Sequence, residues 1–135
     1  MRSDLVTKLK ALSSSTIGTF TITDELPWTS DNTPLYIKNL KRIYIDRTQS
    51  DLDPILDTLD GQGIATEIST TTIYYACDAK QLPSNYDTLT SAIKDIRLDF
   101  GDNNWTQRRV TATSEYESDR LVQSLEFVAE RVVNN

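Results

Sequence analysis

The side chains of this chain that could carry chemistry are carboxylates, arginines and one thiol, because the sequence contains no histidine and a single cysteine, Cys77. A catalytic triad that needs histidine and a metal site built on histidine are therefore excluded. Cys77 alternates with Ile73 and Tyr75 on an apolar segment, and no histidine or lysine stands directly beside it to lower its pKa. We therefore predict a buried, inert thiol.

Two acidic groups raise the question of acid–base catalysis or cation binding. The first surrounds a predicted helix and consists of Asp51, Asp53, Asp57 and Asp60. Acid–base chemistry would need one of these carboxylates in a cleft with a raised pKa, whereas a helix cap and a solvated helix face account for all four. The second lies in the segment 99–104 and consists of Asp99, Asp102, Asn103 and Asn104. Its spacing is not that of an EF-hand, so a polar turn is favoured over a calcium site. We predict no catalytic residue, no metal site and no cofactor.

Aromatic and charged residues in predicted loops and at strand ends are better suited to contacts with other proteins. Arg108 and Arg109 could bind a phosphate or a partner's carboxylate, but adjacent strand residues point to opposite faces, so we do not expect one clamp. Trp28 lies in a long loop, where a tryptophan either folds back onto the core or stays exposed to bind a partner. The candidate subunit or partner contacts are Trp28, Asp31, Trp105 and Arg108.

Length and charge limit the class of protein. The chain has 135 residues, which predicts one domain over 1–135. Its 20 acidic and 14 basic residues give a net charge of −6, which argues against general binding to duplex DNA. No apolar segment approaches the roughly 20 residues that a membrane helix needs, so we expect no membrane contact.

The first half of the chain predicts a helix, two strands and a loop between them. Apolar residues at helical spacing predict a helix over Ser3–Leu12, with Ser3 as its cap. Alternation of apolar and polar residues predicts strands over Thr16–Thr23 and 35–46, the second with a break at 39–41. The stretch 24–34 between them has no periodicity and is predicted to be a long loop.

The second half predicts two helices and three strands. A cap at Ser50 and a terminal glycine predict a helix over Ser50–Gly61. The segment 64–78 reads as a strand in which the apolar residues change from even to odd positions at 70–72. This change predicts either a bulge there or two short strands. Apolar residues three and four apart predict a helix from Ser84 to about Leu98.

The C-terminal part predicts a hairpin. Thr106–Ser114 reads as a strand and 115–119 as a turn, while 120–133 fits either a helix or a strand, with the β-branched residues favouring a strand. The fold class is therefore α+β, with a mostly antiparallel sheet and two or three helices packed on one of its faces.

This layout resembles that of the tail terminator proteins of long-tailed bacteriophages, which belong to the neck of the virion. The points of resemblance are a short first helix, a loop-rich section, a helix led by Leu82-Pro83-Ser84 after the central strand, and a closing hairpin around Glu115–Arg120. The resemblance covers most of the chain as a pattern of elements, without a diagnostic motif.

The resemblance implies a structural virion protein without catalysis. Such proteins form a ring, usually a hexamer, that stops polymerisation of the tail tube and offers a surface to the head connector. The implied partners are copies of the chain itself, tail tube proteins and head-connector proteins, and DNA passes through the ring without specific binding. A ring contact needs two different patches on each subunit. The loop 24–34 and the turn 99–104 are the candidate patches.

Two other classes of function stay open. A small acidic protein-binding module, such as an immunity protein or a secretion chaperone, would fit the charge, and a chaperone would form a dimer with an exposed apolar patch. An enzyme or a small-ligand binder would need a deep pocket with converging carboxylates or tyrosines.

Overall fold

The computed structural model describes residues 1–57, 63–101 and 104–134. In these ranges the chain forms four helices and six strands. The helices are Arg2–Lys10 (α1), Ser14–Ile17 (α2), Leu35–Lys38 (α3) and Tyr86–Lys94 (α4). The strands are Thr21–Ile22 (β1), Arg42–Ile45 (β2), Gln49–Asp57 (β3), Gly63–Asp78 (β4), Thr106–Glu117 (β5) and Arg120–Asn134 (β6).

All six strands belong to one sheet in the order β1-β2-β4-β6-β5, and β3 also pairs with β4. Because β6 pairs along the whole length of β4, β2 and β3 lie end to end on the other side of β4. The pair β1–β2 is parallel, and the four other pairs are antiparallel. The fold is therefore α+β, with a mixed sheet that is mainly antiparallel.

The pairing of β4 with β6 is regular from Ile64 opposite Asn134 to Asp78 opposite Arg120. The bulge or break that we predicted at 70–72 is therefore wrong. The apolar residues change from even to odd positions along β4 for another reason. Ile68 and Ile73 point to opposite faces of the sheet, and Ile73 lies on the buried face. Each face of the sheet thus carries some of the apolar residues of this strand.

The main core lies on one face of the sheet, called here the helical face, because α1 and α4 pack on it. Their apolar stripes, read correctly from the sequence, contribute side chains such as Leu9 and Ile93, which are fully buried against the sheet. The sheet side of this core includes Tyr75 and Phe127. The helix α2 contributes Ile17 at its margin.

A second, smaller core lies on the opposite face. There α3 and the loop 24–34 pack over one end of the sheet, which corrects the prediction that all helices lie on one face. We call this group the aromatic cluster, and its central residues are Trp28, Tyr36, Tyr44 and Tyr74. The ring of Tyr36 stacks on that of Tyr74 with centroids 4.9 Å apart.

Five of the predicted features differ from the structure. Residues 49–57 form β3 where a helix was predicted, because β4 offers an antiparallel partner from 63 to 70. The remainder of that predicted helix, 58–61, lies outside the described ranges. The predicted strands over Thr16–Thr23 and 35–46 begin with helical turns, α2 and α3, and are strands only in β1 and β2.

Ser3 does not cap α1, which begins after Met1. The ambiguous C-terminal segment is a strand, as favoured, and the turn before it is shorter than predicted.

Candidate assembly surfaces

The described residues contain no cluster typical of catalysis. Among them there is no group of three or more His, Cys, Asp and Glu side chains that could hold a metal ion. Cys77 is buried as predicted, and burial raises the pKa of its thiol. Burial also raises the pKa of Tyr75, whose hydroxyl shares a hydrogen bond with that of Thr90. Neither group is therefore poised to react at neutral pH. No helix in the described part of the chain is long and apolar enough to cross a membrane.

Trp28 folds back onto the sheet, which is one of the two alternatives left open by the sequence. Its ring meets Tyr36 edge-on at a centroid distance of 5.3 Å and Tyr74 at 5.8 Å. The side chain is nevertheless half-exposed. It lines a shallow cavity of about 650 Å³ between the 26–32 loop and the segment 46–49. Trp28 is thus available both to the aromatic cluster and to a partner.

Asp31 lies at the exposed tip of the same loop. The hydroxyls of Thr29 and Thr33 both donate to its carboxylate, and these hydrogen bonds lower the pKa of the carboxyl group. The backbone N–H of Thr29 donates to the carbonyl of Thr33, so the loop closes on itself at this point. Its role as a partner contact stays a prediction.

Replacing Trp28 with alanine is expected to lower the free energy of unfolding by about 2 kcal/mol, because the change removes aromatic pairs and half-buried apolar area. Urea unfolding of the monomer, followed by circular dichroism, would measure this change. Asp31→Asn is the matched control within the same loop and is expected to change stability by less than about 1 kcal/mol. Unchanged stability of the Trp28→Ala variant would show that the aromatic cluster does not depend on this residue.

Trp105 and Arg108 lie near the other end of the sheet. The guanidinium carbon of Arg131 stands 4.7 Å from the centre of the Trp105 ring, on the helical face. The ring of Phe100 lies 6.2 Å away. The guanidinium of Arg108 forms an ion pair with the carboxylate of Glu130. The four predicted contact residues therefore fall into two separate regions and do not form one site.

A group of basic side chains follows the outer edge of β5, and we call it the cationic edge. It consists of Lys94, Arg97, Arg108 and Arg109, which line one cavity of about 320 Å³. The two adjacent arginines line the same cavity, and the pairing of β5 with β6 shifts between Gln107 and Arg109. A bulge of this kind breaks the strict alternation of side chains. Within the described ranges, only Arg108 of this group has a carboxylate within 4.0 Å.

The opposite edge of the sheet is acidic. Strand β3 pairs with β4 on one side, and its other side has no strand partner in the described part of the chain. Asp51 and Asp53 are exposed there, and Leu52 between them is 61 % exposed. We call these three residues the acidic edge. A row of unpaired backbone groups beside an exposed leucine is an interface that folded proteins normally cover.

The remaining surface of interest is the part of the sheet opposite the helical face that the aromatic cluster does not reach. We call it the open face. Its exposed residues on β5 and β6 are Thr106, Arg109, Thr111, Thr113, Glu115, Glu117, Glu126 and Val132. Three of them are acidic and one is basic, so the exposed charge of these residues is negative on balance and disfavours anions.

Comparison with known proteins finds similarity at the level of solved structures. No known protein-family profile matches the chain, and no curated protein matches it. Among solved structures, the chain is similar to one titled "Virion of native gene transfer agent (GTA) particle". The two chains are 16% identical, the alignment covers 96% of this chain and 92% of that one, and the TM-score is 0.47. At this level of similarity, the function has to be argued from the surfaces themselves.

Proposed function

We propose that the chain is a structural protein of a long-tailed, phage-like virion. It assembles with copies of itself into a ring that caps the tail tube and joins it to the head connector. The observation that carries the proposal is that two edge strands, β5 and β3, have no strand partner on their outer side within the described ranges and carry opposite charges, while the open face is mainly polar. An arrangement of this kind fits a subunit that contacts a neighbour on each side and presents one face to an aqueous channel.

The chemistry of the open face supports a channel for DNA. Glu115 and Glu126 are exposed on it beside threonine hydroxyls. Carboxylates repel the phosphates of duplex DNA, and threonine adds polarity without positive charge. DNA would therefore pass along such a wall without being held. The mechanism is complementarity of shape and charge, and it needs no reacting group.

The ring also needs contacts with the tube and the connector. The loop 24–34 carries Trp28, and Trp105 follows the predicted patch 99–104, of which residues 102 and 103 lie outside the described ranges. A half-exposed tryptophan is a frequent anchor of protein interfaces. We assign these segments to the axial contacts or to the contacts between subunits.

The alternative is a small acidic protein-binding module, such as an immunity protein or a secretion chaperone. The exposed carboxylates at the end of the β5–β6 hairpin, Glu115, Glu117 and Asp119, favour this alternative. A chaperone would present one apolar patch. The most exposed large apolar residues lie instead on four separate segments of the described chain and are Leu52, Leu82, Tyr116 and Val132.

Native mass decides between the two functions. Light scattering of the purified chain over a range of concentrations and salt, alone and with tail tubes, is expected to show a ring close to a hexamer. Electron microscopy of the same mixture should show tubes of limited length, each with a ring at one end. A dimer that persists at every concentration and never associates with tubes would contradict the virion function and favour the chaperone-like module.

A further inference from the structure

The edge strands β5 and β3, each without a strand partner on its outer side in the described part of the chain, carry opposite charges although the chain as a whole is acidic. The cationic edge on β5 has three basic residues without a carboxylate nearby in the described ranges, Lys94, Arg97 and Arg109. The acidic edge on β3 has two exposed carboxylates, Asp51 and Asp53. Resting on the ring of the proposed function, we infer that the cationic edge of one copy pairs with the acidic edge of the next copy, and that this pairing joins the sheets of neighbouring subunits.

Strand direction allows this pairing to continue from copy to copy. Strand β6 is antiparallel to both β4 and β5, so β5 runs in the same direction as β4. Strand β3 is antiparallel to β4 and therefore also to β5. A second copy placed beside the first by rotation about a ring axis presents its β3 to β5 in the antiparallel sense. Each copy then uses one edge of each kind, which is the heterologous contact of a closed ring.

The side chains select a register for the pairing. Directly opposite residues of antiparallel strands point to the same face. Arg109 and Asp53 both belong to the open-face side, whereas Val110 and Leu52 both belong to the helical-face side. Placing Arg109 opposite Asp53 of the next copy brings Val110 opposite Leu52. This register unites opposite charges and covers the exposed leucine in one step.

Neighbouring residues strengthen the same register. One residue further along, Thr111 comes opposite Asp51 of the next copy, and a threonine hydroxyl can donate to a carboxylate. Lys94 and Arg97 reach the cavity beside β5 from α4 and the segment after it. They add positive charge on the helical-face side of the same edge, which attracts the acidic edge of the neighbour at longer range. Such pairing of charge fixes partner and register more than it adds affinity.

A charge-reversal cycle tests the contact between Arg109 and Asp53. Both side chains are exposed, so Arg109→Glu and Asp53→Arg are expected to leave the folded subunit intact. Each single change opposes like charges and is expected to raise the concentration for half-assembly by at least about tenfold. The double variant reverses both partners of every contact and is expected to return within about threefold of the natural chain. Lys80→Glu, an exposed residue outside both edges, is the control and should change assembly little.

Cysteine cross-linking tests the geometry independently. In the inferred register Thr113 lies opposite Gln49 of the next copy. The variant with both Gln49→Cys and Thr113→Cys should give a ladder of covalent oligomers with a short bismaleimide, whereas neither single variant should give any. Cys77 is buried, so the natural chain is the control for background reaction. Covalent dimers of the Thr113→Cys variant alone would show pairing of two β5 edges and would overturn the inference.

The outcomes separate this inference from the ring itself. If both single charge-reversal variants form rings of normal mass and stability, and the double cysteine variant gives no ladder, the edge pairing is wrong. The ring of the proposed function would still stand. A ladder from a chain that never closes into rings, alone or with tail tubes, would support the edge pairing and contradict the proposed function. A natural chain that stays monomeric under all of these conditions and gives no ladder would contradict both.

Discussion

Replacing Phe127 with alanine is expected to lower the free energy of unfolding by about 3–5 kcal/mol. Phe127 is fully buried in the main core, on β6, opposite Val110 of β5 and the buried Thr71 of β4. Its removal leaves a cavity between the central strands and the helices, which regular pairing on both sides cannot close. Small domains are stable by only about 5–15 kcal/mol, so this single change removes a large share of the stability.

Urea unfolding at a concentration where the chain is monomeric measures this effect. The matched control is Val132→Ala on the same strand, because Val132 is 64 % exposed and its replacement is expected to cost less than about 1 kcal/mol. Equal midpoints for the two variants would contradict the position of Phe127 in the core.

Gly18→Ala is expected to lower the free energy of unfolding by about 2–4 kcal/mol, through backbone strain and lost hydrogen bonds together. Gly18 ends α2 with φ +60° and ψ −112°, a conformation that favours glycine. The side-chain amide of Asn85 donates to the carbonyls of Thr16 and Ile17, each at 2.8 Å. A Cβ on residue 18 would lie 2.2 Å from the same amide nitrogen, so an alanine must displace it.

Three further variants separate the two causes. Gly101 has φ +61°, and apart from its chain neighbours no atom of the described residues lies within 4 Å of the place that a Cβ would take there, so Gly101→Ala reports mainly backbone strain, about 1 kcal/mol. In an Asn85→Ala background the clash is absent, and Gly18→Ala should then cost less than it does in the natural chain, leaving the cost of backbone strain at residue 18. Thermal or urea unfolding of the four variants would give these differences. An equal cost of Gly18→Ala with and without Asn85 would contradict the role of the amide.

Elements with a strong internal pattern were predictable from the sequence. Apolar residues three and four apart indicated α1 and α4, because a helix buries one stripe whatever lies against it. The strand β4 was predictable from its β-branched residues. The hairpin of β5 and β6 was predictable because a polar turn separates two strand-like runs. The favoured strand for the last segment was confirmed, although a helical stripe could also be drawn through it.

Weak local patterns misled the prediction. Residues 50–57 combine a cap-like serine, aspartates and Pro54, which are typical of a helix start, but they form β3 because β4 supplies a partner for their backbone. Intrinsic preferences of this size are easily outweighed by tertiary pairing. The short helix α3 alternates apolar and polar residues like a strand, since a single helical turn is too short to show its period.

The candidate surfaces were predictable only in part. Arg108 was singled out by its type and its place near a strand start. Arg109 was named beside it, but Lys94 and Arg97 were not predicted, because they lie on and just after α4, at least ten residues earlier in the chain. The bulge that brings Arg109 to the same cavity has no local signal. The acidic edge was assigned to a helix face, so its position opposite the cationic edge could not be foreseen.

The sequence by itself determined the α+β class, the apolar stripes of the two long helices, the central strand, the acid balance and the absence of histidine chemistry. These properties depend on composition and on short-range periodicity. Only the tertiary structure decided which strands lie at the edges, which face of the sheet stays uncovered and where opposite charges gather. Those features depend on pairing between segments far apart in the chain, whose free energy local sequence patterns do not contain.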